Sequence, residues 1–179
     1  MITISRSLDP MGRSFDMWLL NQFNKEAKDP NGIYAMADGQ LIDVSAVGDP
    51  MFANKLLGDS VAFRYEGDTA TICSPCEGTL SVLFPTGHAF GITRKDGVEV
   101  LVHIGINTVE AKGKGFNILH KKQGQNVKAG DPIVEVDLAE LRKTYEMNTM
   151  LIITNANGKS FTFRQPGFAK CGESVLAQK

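Results

Sequence analysis

Gly87-His-Ala-Phe-Gly-Ile-Thr-Arg-Lys-Asp-Gly-Val-Glu-Val-Leu-Val-His-Ile-Gly-Ile-Asn-Thr-Val109 decides how this chain folds. It reads as two apolar strands joined by Asp96-Gly97, and it carries two of the chain's three histidines, His88 and His103. Asp-Gly favours a two-residue hairpin loop of type I′, whose central positions both need positive φ. Such a loop sets Lys95 opposite Val98, Arg94 opposite Glu99 as a cross-strand ion pair, His103 opposite Phe90, and His88 opposite Gly105. Opposed residues project to one face, and so do i and i+2, so the two histidines share a face as diagonal neighbours about 7–8 Å apart. A four-residue loop keeps that parity; a three-residue loop without a bulge breaks it. The expected core face carries Val98, Val100, Val102 and Ile104. The histidine face, with Phe90, Ile92 and Leu101, is half apolar and half titratable, which suits a docking surface or a pocket.

Outward from the hairpin, turn signals recur: Asp38-Gly39, Gly48-Asp49, Glu66-Gly67, Glu77-Gly78, Ala129-Gly130-Asp131, Asn157-Gly158 and Pro166-Gly167. Short runs rich in Val, Ile, Leu, Phe and Thr lie between them. That rhythm predicts an all-β fold, an antiparallel sandwich or barrel with short helical turns. Asp49-Pro50 before Met-Phe-Ala-Asn-Lys-Leu-Leu and Gly58 predicts an N-cap, a proline at N1, about two helical turns and a glycine stop. Asp137-Leu-Ala-Glu140 predicts a capping box and a second helix of about two turns. A faint repeat relates Asp38-Gly-Gln-Leu-Ile-Asp-Val to Glu77-Gly-Thr-Leu-Ser-Val-Leu at an offset of 39, and the same offset relates Asp49 to His88.

The 179 residues suit one domain, and 42% apolar residues are enough for one core. A net charge of −1 argues against a nucleic-acid-binding surface. Residues 1–30 are set apart as a leader, weakly docked, disordered or partly vector-derived, with Phe15, Trp18, Leu19 and Phe23 able to line one side of a short helix. Membrane contact is expected to be at most peripheral, through that leader. Residues 31–179 form the expected functional domain. No secretory signal is legible, and three cysteines fit a reducing cytosol better than a disulfide scaffold, so a cytoplasmic location is expected. Cys73-Ser-Pro-Cys76 has redox-motif spacing but sits in a strand-turn, and reads as two small apolar residues flanking the turn.

A histidine pair supports a nucleophile with a neighbouring donor, a metal site, or a general acid–base pair. His120, in Leu119-His-Lys-Lys, is the only other histidine, and neither His-x-His nor His-Glu-x-x-His occurs. Transfer of a small anion to an imidazole, neutral near pH 7, is the remaining chemistry.

Pro85-Thr-Gly-His-Ala-Phe-Gly-Ile, Gly97-Val-Glu-Val-Leu-Val-His-Ile-Gly-Ile-Asn-Thr-Val and Gly113-Lys-Gly-Phe resemble the glucose-type IIA component of the bacterial phosphoenolpyruvate-dependent sugar phosphotransferase system. Gly48-Asp-Pro-Met-Phe-Ala, Pro75-Cys-Glu-Gly and Gly124-Gln-Asn-Val-Lys-Ala-Gly-Asp extend the likeness from about Tyr34 to about Leu176. The resemblance implies an antiparallel β sandwich and a phosphocarrier without a soluble cofactor. It implies that His103 takes a phosphoryl group from the carrier HPr and hands it to a sugar-specific IIB domain of a IIB/IIC transporter. His88 then donates to the phosphoryl oxygens, Thr86 orients the pair, and the Gly105 carbonyl holds the other His103 nitrogen. Met51, Phe52, Leu56, Leu57, Phe84, Leu101 and Val109 become an apolar rim for partners, regulatory target proteins among them. Asp49 supplies an acidic group that attracts basic partners. Asn107 stands where the family usually has aspartate, which removes one anion from that surface.

Two other classes compete. A zinc-dependent hydrolase would use His88 and His103 with Asp49; zinc shared with a partner's carboxylate is a variant. A swinging-arm carrier would use Lys128 in Val127-Lys-Ala-Gly-Asp131, which lacks the flanking residues of such carriers and reads as a solvated turn.

Overall fold

The structure, a computed structural model, describes residues 28–176. The leader residues Phe15, Trp18, Leu19 and Phe23 lie outside them. Eleven strands follow in order: β1 (Gly39–Ile42), β2 (Asp59–Arg64), β3 (Thr69–Cys73), β4 (Gly78–Leu83), β5 (Ala89–Thr93), β6 (Glu99–Ile104), β7 (Phe116–Ile118), β8 (Asn126–Val127), β9 (Pro132–Asp137), β10 (Thr149–Asn155) and β11 (Gly167–Ala169). Eight form one sheet in the order β11-β1-β2-β10-β6-β5-β4-β8, and β3-β9-β7 form a second. Every pairing is antiparallel, as the turn rhythm predicts.

Two helices interrupt the strands, α1 (Pro50–Ala53) and α2 (Leu138–Leu141), each one turn rather than two. Both predicted N-caps form: Asp49 accepts from Met51 N at 2.8 Å, and Asp137 from Glu140 N at 2.9 Å. The return bond of the capping box does not, because Glu140 accepts from Lys114 and Lys143 while Asp137 N donates to Gly115 O. α1 stops early because Lys55 adopts a left-handed φ of 54°, three residues before Gly58.

The main core fills the space between the sheets. Alternation along the strands sends Val100, Val102 and Ile104 of β6, Leu151 and Ile153 of β10, and Val61 and Phe63 of β2 inward, to meet Ile72, Val134 and Val136 of the small sheet. The other face of the large sheet is covered too. Met150 and Ile152 of β10 and Ala62 of β2 pack there with Val44, Val47, Phe52 and Ile106, and Leu101 lies against them. α1 and the 3₁₀ turn Val44–Ala46 contribute to this outer cluster.

The central hairpin departs from expectation. Thr93 pairs with Glu99, Phe90 with Val102, and Ala89, not Phe90, with His103. Arg94 N donates to Val98 O at 2.9 Å and Gly97 N to Arg94 O at 3.0 Å, so the loop is Lys95-Asp96-Gly97. Gly97, at φ 79°, takes the left-handed position of a three-residue loop, which an Asp-Gly pair also suits. Asp96 is drawn into the turn by Arg94, whose Nη2 lies 2.6 Å from Oδ2, and by Lys159. The expected Arg94–Glu99 pair is therefore absent. Phe90 and Ile92 turn into the main core rather than onto the histidine face.

Candidate functional site

His103 sits near the end of β6 on the outer face of the large sheet, level with Leu101 and opposite the small side chain of Ala89. Two residues later Gly105, at φ 75°, turns the chain so that its carbonyl oxygen lies 2.9 Å from His103 Nδ1. A carbonyl can only accept, so Nδ1 carries the proton and the Nε2 lone pair is free. A Cβ at position 105 would stand 2.5 Å from Thr108 Cγ2 and 2.9 Å from Met147 Sδ, so the turn requires glycine.

His88 stands just before β5, in the turn that returns from β4, where strand alternation no longer dictates its side. Its backbone oxygen accepts from Ile104 N at 2.8 Å, which ties it to the end of β6. Its ring meets that of His103 edge to face, with centroids 5.4 Å apart and planes at 79°. Thr86 Oγ1 lies 2.6 Å from His88 Nδ1. An aromatic ring backs each imidazole: Phe52 lies 5.1 Å from His103 and Phe84 lies 5.0 Å from His88.

Burial lowers the pKa of both imidazoles, and for His103 the neighbouring His88 lowers it further. The bond to Gly105 and the Asp49 carboxylate oppose that shift at His103. The result is a pair of neutral rings near pH 7, with one acid group close by. His88 is buried, whereas His103 is half-buried and reaches the surface.

The residues expected to form the rim divide into two sets. Met51, Leu56, Leu57, Phe84 and Val109 are exposed. Phe52 is buried, and Leu101 is partly buried against the outer cluster, so these two support the surface from beneath. Asn107 is exposed, at a left-handed φ of 58°, at the entrance to the 3₁₀ turn Thr108–Ala111. Sequence reasoning missed Ile106 and Met150, the floor beneath Phe52, and Thr108, whose hydroxyl donates to Ile104 O. The signal for Thr108 was its place in Gly105-Ile-Asn-Thr-Val109; for Met150, in an uninterrupted apolar run, none existed.

A family model described as the phosphoenolpyruvate-dependent sugar phosphotransferase system, EIIA 1, matches residues 31–159. The chain belongs to that family. It is 40% identical over 145 residues to the glucose-specific EIIA component of Haemophilus influenzae, which covers 80% of this chain and 86% of that protein. It is 37% identical over 148 residues to the glucose-specific EIICBA component of Staphylococcus carnosus, covering 82% of this chain but 22% of that longer protein. The glucose permease IIA from Mycoplasma capricolum superposes with a TM-score of 0.74 at 38% identity, over 81% of this chain and 93% of that one. The chain therefore carries the β-sandwich fold of an EIIA domain of that system.

The competing chemistries find no support in this EIIA fold. Among the described residues, no three His, Cys, Asp or Glu side chains gather as a metal-binding group, so the hydrolase reading lacks its third ligand. Lys128 is exposed on the turn before Asp131, which accepts from its backbone N–H. Cys73 and Cys76 are buried free thiols, and burial pushes Cys76 up to about 12. Among the described residues, no helix is long and apolar enough to cross a membrane.

Proposed function

We propose that His103 Nε2 is the phosphoryl acceptor, taking the group from phospho-HPr and passing it to the IIB domain of a sugar transporter at the cytoplasmic face of the membrane. The supporting observation is the Nδ1-to-Gly105 bond, which fixes the tautomer and aims the free lone pair towards the surface beside His88. On acceptance a P–N bond to His103 forms while the P–N bond of phospho-HPr breaks. On donation the P–N bond to His103 breaks while phosphorus bonds to the IIB acceptor side chain, and no water enters either step. His103 Nδ1 keeps its proton throughout, so the carbonyl of Gly105 steadies the cationic ring that develops as Nε2 becomes phosphorylated. The transition state is loose, with charge spread over the phosphoryl oxygens, so positioning and donors carry the catalysis.

His88 supplies one such donor. With the Thr86 hydroxyl donating to Nδ1, the His88 proton resides on Nε2, facing the group bound on His103. The exposed Met51, Leu56, Leu57, Phe84 and Val109 offer an apolar seat from which each partner excludes water and brings in cationic side chains. Asp49 favours such partners electrostatically. The transfer needs no soluble cofactor, and the choice of sugar belongs to the membrane component.

Incubation with phosphoenolpyruvate and the general carrier proteins tests this reading. Wild type should gain about 80 Da, the mass of one phosphoryl group, on His103. His103→Gln should gain no stable label. His88→Gln should accept label but fail to pass it on. Label on another residue, or undiminished onward transfer by His88→Gln, would refute the assignment.

A further inference from the structure

A second group of reactive side chains, away from the histidines, lies where β3 ends. Cys73 closes that strand at a register shift, and its N–H donates to Met36 O at 2.9 Å. Cys171, from the distant C-terminal segment, sends its thiol to the same carbonyl at 3.6 Å, while Asp38 Oδ1 holds its N–H at 2.7 Å. One carbonyl thus anchors both cysteines. Cys73 is buried and Cys171 exposed, so oxidant has access to one member and the other is shielded. A cation stands beside them. Lys28 Nζ donates to Ala129 O at 3.3 Å, lies 5.0 Å over the Tyr34 ring, and is 2.7 Å from where a Cβ on Gly172 would be. Burial and then the Cys171 thiol raise the Cys73 pKa to about 12, which Lys28 opposes and Asp131 reinforces. Cys76, three residues from Cys73 in sequence, is raised chiefly by burial, and the charges acting on it are those of Arg94 and Asp96.

We propose that Cys73 and Cys171 are a reversible thiol–disulfide pair that fastens the C-terminal segment to β3 under hydroperoxide. The Cys171 thiolate attacks a peroxide oxygen: an S–O bond forms, the O–O bond breaks, and the leaving oxygen takes up a proton. The Cys73 sulfur then attacks the Cys171 sulfur, forming S–S and breaking S–O, and the departing hydroxide leaves as water with the Cys73 proton. Two thiols lose two electrons and the hydroperoxide gains them. A dithiol reductant reverses the change by exchange. While oxidised, the bond would add a covalent tie to β3 beside the backbone bonds that now hold this segment to residues 33–35: Gly172 N to Ala35 O at 2.9 Å, Ala35 N to Glu173 O at 2.8 Å, and Val175 N to Ile33 O at 2.9 Å.

The test treats the folded protein with hydrogen peroxide, caps free thiols and digests with trypsin. Cleavage at Arg64, Arg94 and Lys170 places Cys73 and Cys76 in peptide 65–94 and Cys171 in peptide 171–179. The two peptides should emerge joined, about 2 Da lighter than their sum, and separate on reduction. Cys76→Ser should keep the link, and Cys171→Ser, altered at an exposed position, should abolish it. A bond within peptide 65–94, a link that persists in Cys73→Ser, or Cys171 recovered only as an oxyacid would overturn the proposal.

Discussion

Ala89 faces His103 across the β5–β6 ladder, yet the next residue back, His88, reaches the His103 ring at 5.4 Å. Continued alternation would send His88 to the opposite side. The pair forms because His88 has left the strand, held by its own carbonyl to Ile104 and by its ring to Thr86. The site depends on a strand end rather than on strand parity.

Thr86 is the residue that sets the His88 tautomer in the proposed mechanism. Thr86→Val keeps the shape but loses the hydroxyl. Phosphorylation of His103 should persist, while transfer to IIB slows about tenfold to a hundredfold, the usual effect of losing an orienting partner. Thr86→Ser should restore most of it. Rapid-quench transfer from labelled protein reads both steps.

Phe52 and Leu56 separate support from contact. Phe52 is buried in the outer cluster, and Phe52→Ala should cost about 3–5 kcal/mol by urea unfolding. Leu56 is 71% exposed, and Leu56→Ala should stay within about 0.5 kcal/mol of wild type. Under the proposed partner reading, the latter still weakens exchange with HPr.

Stability should fall in mild acid. Folding holds both imidazoles below their usual value of 6.5, so the unfolded chain binds more protons as pH drops through that region. The contribution is complete above the unfolded value and is lost as pH falls through the lower folded values. Urea midpoints between pH 8 and pH 5 should drop less in the double variant His88→Gln with His103→Gln than in wild type.

Asn107 occupies a left-handed position that aspartate also tolerates, so Asn107→Asp should preserve the fold. It would add a carboxylate to the surface offered to basic partners. HPr transfer rates should then depend more steeply on salt than in wild type. Equal slopes would show that this position does not touch the partner's field.

Much of this was legible in the residues. Gly and Asp turn signals announced the antiparallel strands, Asp49 and Asp137 announced their caps, and the spacing of His88 and His103 led to the family. The hairpin register was not legible, because Asp96-Gly97 serves two loop lengths, and Arg94 and Lys159 both bind Asp96 in the folded turn. Phe90 and Ile92 were consequently assigned to the wrong face. Phe52 and Leu101 read as rim because their burial depends on Met150 and Ile152, which arrive from β10. Helix lengths failed at Lys55, whose left-handed backbone no propensity announces.

The wall behind His103 rests on its own small apolar cluster, with the large sheet standing between it and the main core. Substitutions that reshape this wall spare the packing between the two sheets, although those at its buried members still lower stability. A lineage carrying this architecture can drift towards new docking preferences through the exposed Met51, Leu56 and Leu57 while its sandwich stays as it was.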